Sequence, residues 1–174
     1  MDGTGDGSGD GDAAFAAWLA PHLPALGRIS RAFAQGPDQH DLLQELMVAV
    51  WKARPRFEGQ SAPATFVWRV AHNAALTWRR GETRRWRRGQ AVQAEMAVRD
   101  QSGDDPQAVL LERLYGAIRA LPLLDRSLIL LSLEGAAYEQ IASLHGLTQT
   151  NVGARLTRIR ARLSILVKED GDGL

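Results

Sequence analysis

Apolar residues recur at intervals of three and four along most of this 174-residue chain, and no segment shows the apolar–polar alternation of a half-buried strand. The clearest stripe is the last one, in which Val152, Leu156, Ile159 and Leu163 stand at offsets of zero, four, seven and eleven residues. A stripe with this spacing lies along one face of a helix and packs that face against a core. The sequence therefore predicts an all-α fold.

Two small helical domains are predicted, because a flexible linker separates them at residues 89–105. This segment carries few large apolar side chains and ends in turn-forming residues. We predict one domain over residues 13–88 and a second over residues 106–168. Residues 1–12 are mostly glycine and aspartate, which predicts a disordered tail, and residues 169–174 form a short tail at the other end.

Proline and glycine residues predict where the helices of the first domain begin and end. A Gly-Pro pair at positions 36–37 ends one helix, and Asp38 is predicted to be the N-cap of the next. Pro55 ends that helix, and Pro63 is predicted to lie in the first turn of the following one. Residues 56–63 are therefore expected to form a loop between two helices.

The residue types present exclude several classes of protein. Cysteine is absent, so the chain has neither a disulfide framework nor a thiolate metal site. No run approaches the roughly 18 apolar residues of a membrane span, and the chain does not start with a signal peptide. The four histidines, at positions 22, 40, 72 and 145, are scattered without the spacing of a metal site or of a nucleophile and its base. We expect a cytoplasmic protein that is not an enzyme and uses no metal or cofactor.

The net charge of +1 conceals a strong segregation of charge along the chain. Residues 51–100 carry a net charge of +7 and residues 151–174 one of +2, whereas residues 1–50 and 101–150 carry −5 and −3. Two basic blocks indicate contacts with a polyanion at two places. Solvated arginine-rich helix ends are the alternative.

The densest basic stretch is WRRGETRRWRRG, at residues 78–89. It closes the helix that begins near Pro63, and Gly81 is expected to break or fray that helix. Trp78 fits the apolar face of the helix, so its ring is predicted to lie in the core. Taken in isolation, the six arginines fit a nucleic-acid clamp, a nuclear-localisation-like patch or a solvated helix end.

The segment Tyr138–Leu163 has the pattern of a helix-turn-helix. A short apolar helix is followed by a turn at Gly146, a capping residue at Thr148 and a longer helix. The first turn of the longer helix, where base edges in a major groove are read, holds Gln149, Thr150 and Asn151. A stripe that can reach phosphates holds Arg155, Arg158 and Arg162. An ordinary helical hairpin with a solvated basic face is the alternative.

Two features of the first domain are further candidate binding surfaces. One is a polar helix face with Asp41, Gln44 and Glu45, for which a solvated surface is the default interpretation. The other is the loop at residues 56–63, which precedes a helix with aromatic and basic residues and fits a platform for unstacked bases. The residues of that helix are Trp68, Arg69, His72 and Asn73. The alternative place for Phe57, Phe66 and Trp68 is the core.

Taken in order, these segments resemble the extracytoplasmic-function group of bacterial sigma-70-family factors, over residues 13–168. The first-domain matches are DQHDLLQE at 38–45, tryptophan at 51, PRFEGQS at 55–61 and TFVWRVAHN at 65–73. The second-domain matches are LP at 121–122, arginine at 126, EGAAYEQIA at 134–142, GLT at 146–148 and NVGARLTRIR at 151–160. No single segment is decisive, whereas all of them in this order indicate the family.

The resemblance implies a subunit that binds core RNA polymerase, through its β′ and β subunits, and directs initiation at promoter DNA. Contact with the β′ clamp helices is implied for Asp38, Asp41, Gln44 and Glu45. Melting of the −10 element and capture of a flipped base are implied for Arg56, Phe57, Glu58, Gly59, Ser61, Thr65, Trp68, Arg69 and Asn73. Reading of the −35 element is implied for Thr148, Gln149, Thr150, Asn151, Arg155 and Arg158. Duplex phosphates upstream of the −10 element would be held by Arg79, Arg80, Arg84, Arg85, Arg87 and Arg88.

The chain departs from the family pattern at four positions. Phe66 stands for the usual Trp, Gln140 stands for the common Glu, and Pro63 occupies a position that is usually flexible. Gly153 stands where Lys is frequent, which removes a phosphate contact and costs up to about 1 kcal/mol of helix propensity. These departures leave the family assignment intact and the preferred promoter sequence open.

The resemblance also implies control by an anti-sigma protein acting in trans. The linker at residues 89–105 would pass toward the active cleft of the polymerase. A stand-alone helix-turn-helix regulator is the alternative function, with the first domain used for oligomerisation or sensing. Such a regulator would form a dimer and favour a palindromic site.

Overall fold

The computed structural model describes residues 7–87 and 106–169, and of residues 7–10, 82–87 and 168–169 it describes the backbone alone. Within these ranges the chain forms eight α-helices, two short 3-10 helices and no strand, which confirms the predicted all-α fold. The α-helices are α1 (Gly7–Leu19), α2 (Leu23–Phe33), α3 (Pro37–Ala53), α4 (Pro63–Arg87), α5 (Pro106–Arg119), α6 (Leu123–Leu133), α7 (Tyr138–His145) and α8 (Gln149–Glu169). The 3-10 helices are Ala20–His22 and Arg54–Arg56.

The first domain is a bundle of α2, α3 and α4, to which α1 adds its last turns. The inward stripe of each helix follows the three- and four-residue spacing of its apolar residues. Its fully buried side chains include Leu26, Ile29, Leu46, Val50 and Val67. This packing leaves the polar face of α3 and the loop before α4 on the surface.

The second domain packs α8 against α5, α6 and α7. All four members of the last apolar stripe of the sequence, from Val152 to Leu163, are buried, as the spacing predicts. Ile141 and Ala142 on α7 are also buried, and α7 packs against α8. These two helices form the predicted helix-turn-helix.

The two domains pack against each other through α2, which contacts α5 and α6. Arg28 makes a two-pronged ion pair with Glu134, in which Nη2 donates to Oε2 at 2.7 Å. The guanidinium of Arg126 lies 5.4 Å from the centre of the Phe33 ring. Arg119 Nη1 donates to the main-chain oxygen of Arg31 at 3.0 Å. The buried apolar residues of the two domains also form one continuous cluster across this contact.

Three local predictions were wrong. Helix α1 begins at Gly7, although residues 1–12 were expected to be disordered. Extending an existing helix is much easier than nucleating one, so the apolar end of α1 supports its glycine-rich start. Asp38 is not an N-cap, because α3 begins one residue earlier, at Pro37, after Gly36 with a φ of +60°. Helix α4 runs through Gly81 to Arg87 rather than ending there.

Several predictions concern segments outside the described residues. These are the start of the N-terminal tail, the linker at residues 89–105 and the end of the C-terminal tail. In the part of the chain that the structure describes, no helix is both long and apolar enough to cross a bilayer.

Candidate nucleic-acid interface

The helix-turn-helix presents the start of α8 to solvent. Gly146 ends α7 in the left-handed conformation, with a φ of +65° that favours glycine. Thr148 Oγ1 then accepts a hydrogen bond from the Asn151 main-chain N–H at 3.2 Å and caps α8, as predicted. The predicted base-reading residues Thr148, Gln149, Thr150 and Asn151 are all exposed. Their side chains can therefore reach the edges of bases in a major groove.

Gly153, on the next turn of α8, lies against the ring of Tyr138 on α7. A Cβ at this position would stand 3.5 Å from a ring carbon of Tyr138, which is an ordinary van der Waals distance. An Ala at this position would therefore not push α8 away from Tyr138, and close packing of the two helices does not require the glycine. Gln140 on α7 uses its Oε1 to accept the Ala137 N–H at 2.9 Å, the same role that a Glu would play in this cap.

The basic stripe of α8 is partly neutralised by an aspartate that sequence analysis did not single out. Arg155 Nη1 donates to Asp125 Oδ1 on α6 at 2.6 Å. Arg158 and Arg162 are exposed and line, with Arg155 and Asp125, an open groove of about 200 Å³. Nothing in the sequence pattern pairs Asp125 with Arg155, because the two lie on different helices and 30 residues apart.

The predicted polar face of α3 is exposed at all four positions, which are Asp38, Asp41, Gln44 and Glu45. Within the next two turns of the same helix, Val48 is 41% and Trp51 is 52% exposed. The face therefore changes from acidic to apolar along the helix. Steps of three residues beyond Glu45 reach Val48 and then Trp51, so the spacing in the sequence could have predicted that both lie on this face.

The loop between α3 and α4 exposes its polar residues and packs its aromatic one. Arg56, Glu58 and Gly59 are exposed and Ser61 is half-buried, while Gly59 has a φ of +74°. The Phe57 ring lies 5.0 Å from the Phe66 ring, so it packs inward as the core alternative expected.

Helix α4 continues the candidate surface along one side. Arg69 and Asn73 are exposed one helical turn apart, and the guanidinium of Arg69 lies 5.9 Å from the Phe66 ring. Thr65 and Trp68 are half-buried, and Trp68 packs against the core. Thr65 Oγ1 lies 3.5 Å from Gln140 Nε2, so one residue of this surface faces the second domain.

The arginine-rich end of α4 is described only in part. Arg79 is half-buried and Arg80 is exposed. The backbone of Arg84, Arg85 and Arg87 continues the helix, whereas their side chains and the whole of Arg88 lie outside the described residues. The half-buried Trp78 packs against the core, as its place in the stripe predicts.

Two basic residues are buried rather than presented to a ligand. His72 is 1% exposed with its ring 6.3 Å from that of Phe33, and burial, reinforced by the charge of His145, lowers its pKa to about 3. The guanidinium of Arg126 donates to the main-chain oxygens of Arg119 and Leu121. Burial, reinforced by the charges of Arg79 and Arg119, lowers the pKa of Arg126 to about 10. Both residues therefore belong to the packing between helices.

Comparison with known families matches both domains. Residues 18–85 match the model of Sigma-70 region 2, and residues 111–163 match that of Sigma-70, region 4. A curated relative, the probable RNA polymerase sigma factor RfaY of Xanthomonas campestris pv. campestris, is 32% identical over 130 residues, which cover 70% of this chain. The same alignment covers 32% of that relative, so the chain spans about a third of its length.

Two solved structures have a similar fold. The sigma factor RpoE of Bartonella quintana, solved in complex with the anti-sigma factor NepR, superposes with a TM-score of 0.70 at 25% identity. This superposition covers 89% of this chain and 97% of that one. CnrH, solved in complex with the cytosolic domain of CnrY, superposes with a TM-score of 0.64 at 23% identity, covering 91% of this chain and 90% of that one. At that identity the second likeness concerns the fold alone.

Proposed function

Because the chain belongs to the extracytoplasmic-function group of the sigma-70 family, we propose that it binds core RNA polymerase and directs transcription initiation at specific promoters. The observation that carries this proposal is the pairing of two different nucleic-acid surfaces on one chain. One is an exposed loop beside a basic helix in the region 2 domain, and the other is a helix-turn-helix in the region 4 domain.

The two surfaces fit the two physical tasks of promoter recognition. A duplex is read by a helix that enters the major groove, which the exposed start of α8 can do. Opening the duplex costs a few kcal/mol for each unstacked step, and stacking a base on an aromatic side chain returns about 1–3 kcal/mol. The loop exposes arginine and backbone groups, and α4 adds the half-buried Trp68 ring with Arg69 and Asn73, which suits this second task. We assign the −35 element to α8 and the −10 element to the loop and α4.

We assign polymerase binding to the exposed face of α3. Its acidic half would contact basic groups on the β′ clamp helices, and Val48 and Trp51 would add apolar contact area. Large exposed aromatic side chains with charged neighbours are typical of the residues that dominate protein–protein binding. The β subunit is the second expected contact on the polymerase. None of these roles requires catalysis by this chain.

We also propose a protein inhibitor acting in trans. The support is that RpoE, which this chain resembles over most of its length, was solved with the anti-sigma factor NepR. An inhibitor that covers the α3 face would compete with the polymerase.

Run-off transcription tests the main proposal. The purified chain is added to core RNA polymerase with fragmented genomic DNA, and transcript start sites are mapped. We expect new start sites that share upstream sequence and vanish when the chain is omitted. The double variant Asp41→Asn, Glu45→Gln keeps the shape of the α3 face and should weaken these transcripts by weakening polymerase binding. If no template yields a specific transcript and the chain instead dimerises on a palindromic site, a stand-alone regulator is the better description.

A further inference from the structure

A continuous row of aromatic rings joins α1 to the loop between α3 and α4. The Phe15 ring lies 6.1 Å from the Trp18 ring, the Trp18 ring 5.9 Å from the Phe57 ring, and the Phe57 ring 5.0 Å from the Phe66 ring. These separations lie in the range of favourable aromatic pairs. Phe57 is the first residue after the 3-10 helix Arg54–Arg56, so the row reaches the loop near its start.

Trp18 contacts the start of the loop at a second point. The guanidinium of Arg54 lies 4.7 Å from the centre of the Trp18 ring, within the distance of a cation–π contact. Arg54 begins the 3-10 helix that leads into the loop, and its main-chain oxygen accepts the Phe57 N–H at 3.0 Å. Trp18 therefore contacts both ends of the turn that sets the direction of the loop.

The rest of the loop has few contacts of its own. Glu58, Gly59 and Gln60 are exposed, and Glu58 accepts a hydrogen bond from Gln60 within the loop at 3.0 Å. At its far end, the Phe66 N–H donates to the Ala62 main-chain oxygen at 3.2 Å in the first turn of α4. The start of the loop is thus held by Trp18 together with Phe66 of α4, and its far end by the first turn of α4.

We propose that Trp18 is a positioning residue for promoter opening, which acts through Phe57 and Arg54 to hold the loop in the conformation that captures an unstacked base. This inference rests on the proposed function of the loop. The match to Sigma-70 region 2 begins at residue 18, so most of α1 lies outside that match. Holding a loop in its binding conformation lowers the entropy lost on binding and so increases affinity.

The test compares four variants of the 174-residue chain. Trp18→Ala removes the ring, Trp18→Leu keeps apolar volume and guards against a failure to fold, and Trp18→Phe keeps an aromatic ring. Ile29→Ala is the control, because Ile29 is fully buried in α2 and is no member of the aromatic row. It destabilises the domain without removing the support of the loop.

The first measurement is amide hydrogen exchange of the free chain at the Phe57 N–H, whose hydrogen bond to the Arg54 main-chain oxygen holds the start of the loop. Loss of an aromatic pair and a cation–π contact should speed exchange there roughly five- to tenfold in Trp18→Ala and Trp18→Leu. Trp18→Phe should stay within about twofold of the wild type, and Ile29→Ala should not single out this loop. Unchanged exchange in both ring-deletion variants would overturn the proposal whether or not the chain initiates transcription.

The second measurement uses each variant bound to core RNA polymerase. The probe is a single-stranded −10 oligonucleotide from a mapped promoter, labelled with 2-aminopurine to report unstacking. We expect roughly five- to tenfold weaker binding of the probe for the ring-deletion variants and unchanged affinity for core polymerase. Faster loop exchange with unchanged probe binding would overturn the role in base capture. Absence of promoter-specific transcription by the wild type would refute the proposed function instead, and the exchange experiment would still decide whether Trp18 holds the loop.

Discussion

Replacing Asp125 by Asn should make this chain bind promoter DNA more tightly while making it slightly less stable. Asp125 on α6 holds Arg155 of the basic stripe at 2.6 Å. In that position Arg155 is partly neutralised, and the carboxylate also repels an approaching phosphate. Asn keeps the shape of the side chain and removes its charge. Arg155 is then free to contact DNA together with Arg158.

The structure sets the size of both effects. One additional phosphate contact should steepen the dependence of log K on log salt by about 0.9, and at 0.2 M salt it corresponds to about fourfold in affinity. The side chains of Asp125 and Arg155 are 21% and 36% exposed, so water weakens their attraction. Losing such a pair should lower the free energy of unfolding by about 0.5–1 kcal/mol. For a chain of this size the melting temperature should fall by roughly 1–4 °C.

Fluorescence anisotropy over a salt series measures the first effect, with the polymerase-bound chain on a labelled duplex promoter. Asp12→Asn is the matched control, because Asp12 is exposed on α1, outside the helix-turn-helix domain, and the same charge is removed there. A variant that binds less tightly, with an unchanged salt slope, would refute the reasoning. It would mean that Asp125 orients Arg155 for DNA rather than withholding it.

Three further outcomes are expected from single substitutions. Gly153→Ala should raise the free energy of unfolding by about 0.5–1 kcal/mol, because the added Cβ makes only an ordinary van der Waals contact and Ala favours a helix. A lower melting temperature would contradict this. The pKa of His72 is about 3 in the folded chain and 6.5 when unfolded. Below pH 6.5 the unfolded chain therefore takes up a proton that the folded chain does not, and the free energy of unfolding decreases as the pH falls toward 3. Urea unfolding at pH 4.5 against pH 7.5 should show a loss of about 2–3 kcal/mol from this residue, which His72→Leu should abolish. Glu134→Gln removes the ion pair with Arg28 between the domains and should increase the radius of gyration in solution scattering. Asp125→Asn, which breaks a pair between α6 and α8 inside the second domain, should not.

Features that depend on near neighbours could be predicted from the sequence. Helix α4 begins at Pro63 because proline is favoured in a first turn, and Thr148 caps α8 because its hydroxyl reaches an N–H three residues away. The exposed face of α3 follows from a repeat of three and four residues. The mistaken N-cap at Asp38 came from the same local logic, because Pro37 and a positive φ at Gly36 provided a competing start.

Contacts between distant parts of the chain could not be predicted in this way. Phe57 fitted both a platform for bases and the core, and only the structure shows its half-buried ring packed against Trp18 and Phe66. The two basic blocks were apparent from charge counting alone. That Arg155 is paired with Asp125, and is thus unequal to Arg158, became visible only when α6 and α8 were placed side by side.

The sequence by itself determined that the chain is all-α, the order of its helices, and that it belongs with sigma-70-family factors. Helix periodicity, caps and motif order are properties of residues close together along the chain, so they can be recognised without knowing the fold. Only the tertiary structure decided which charges are neutralised, which aromatic rings support the loop, and that Arg28 meets Glu134 across 106 residues. Those properties depend on distances through space, and a distance between two helices is set by the packing of all the side chains between them.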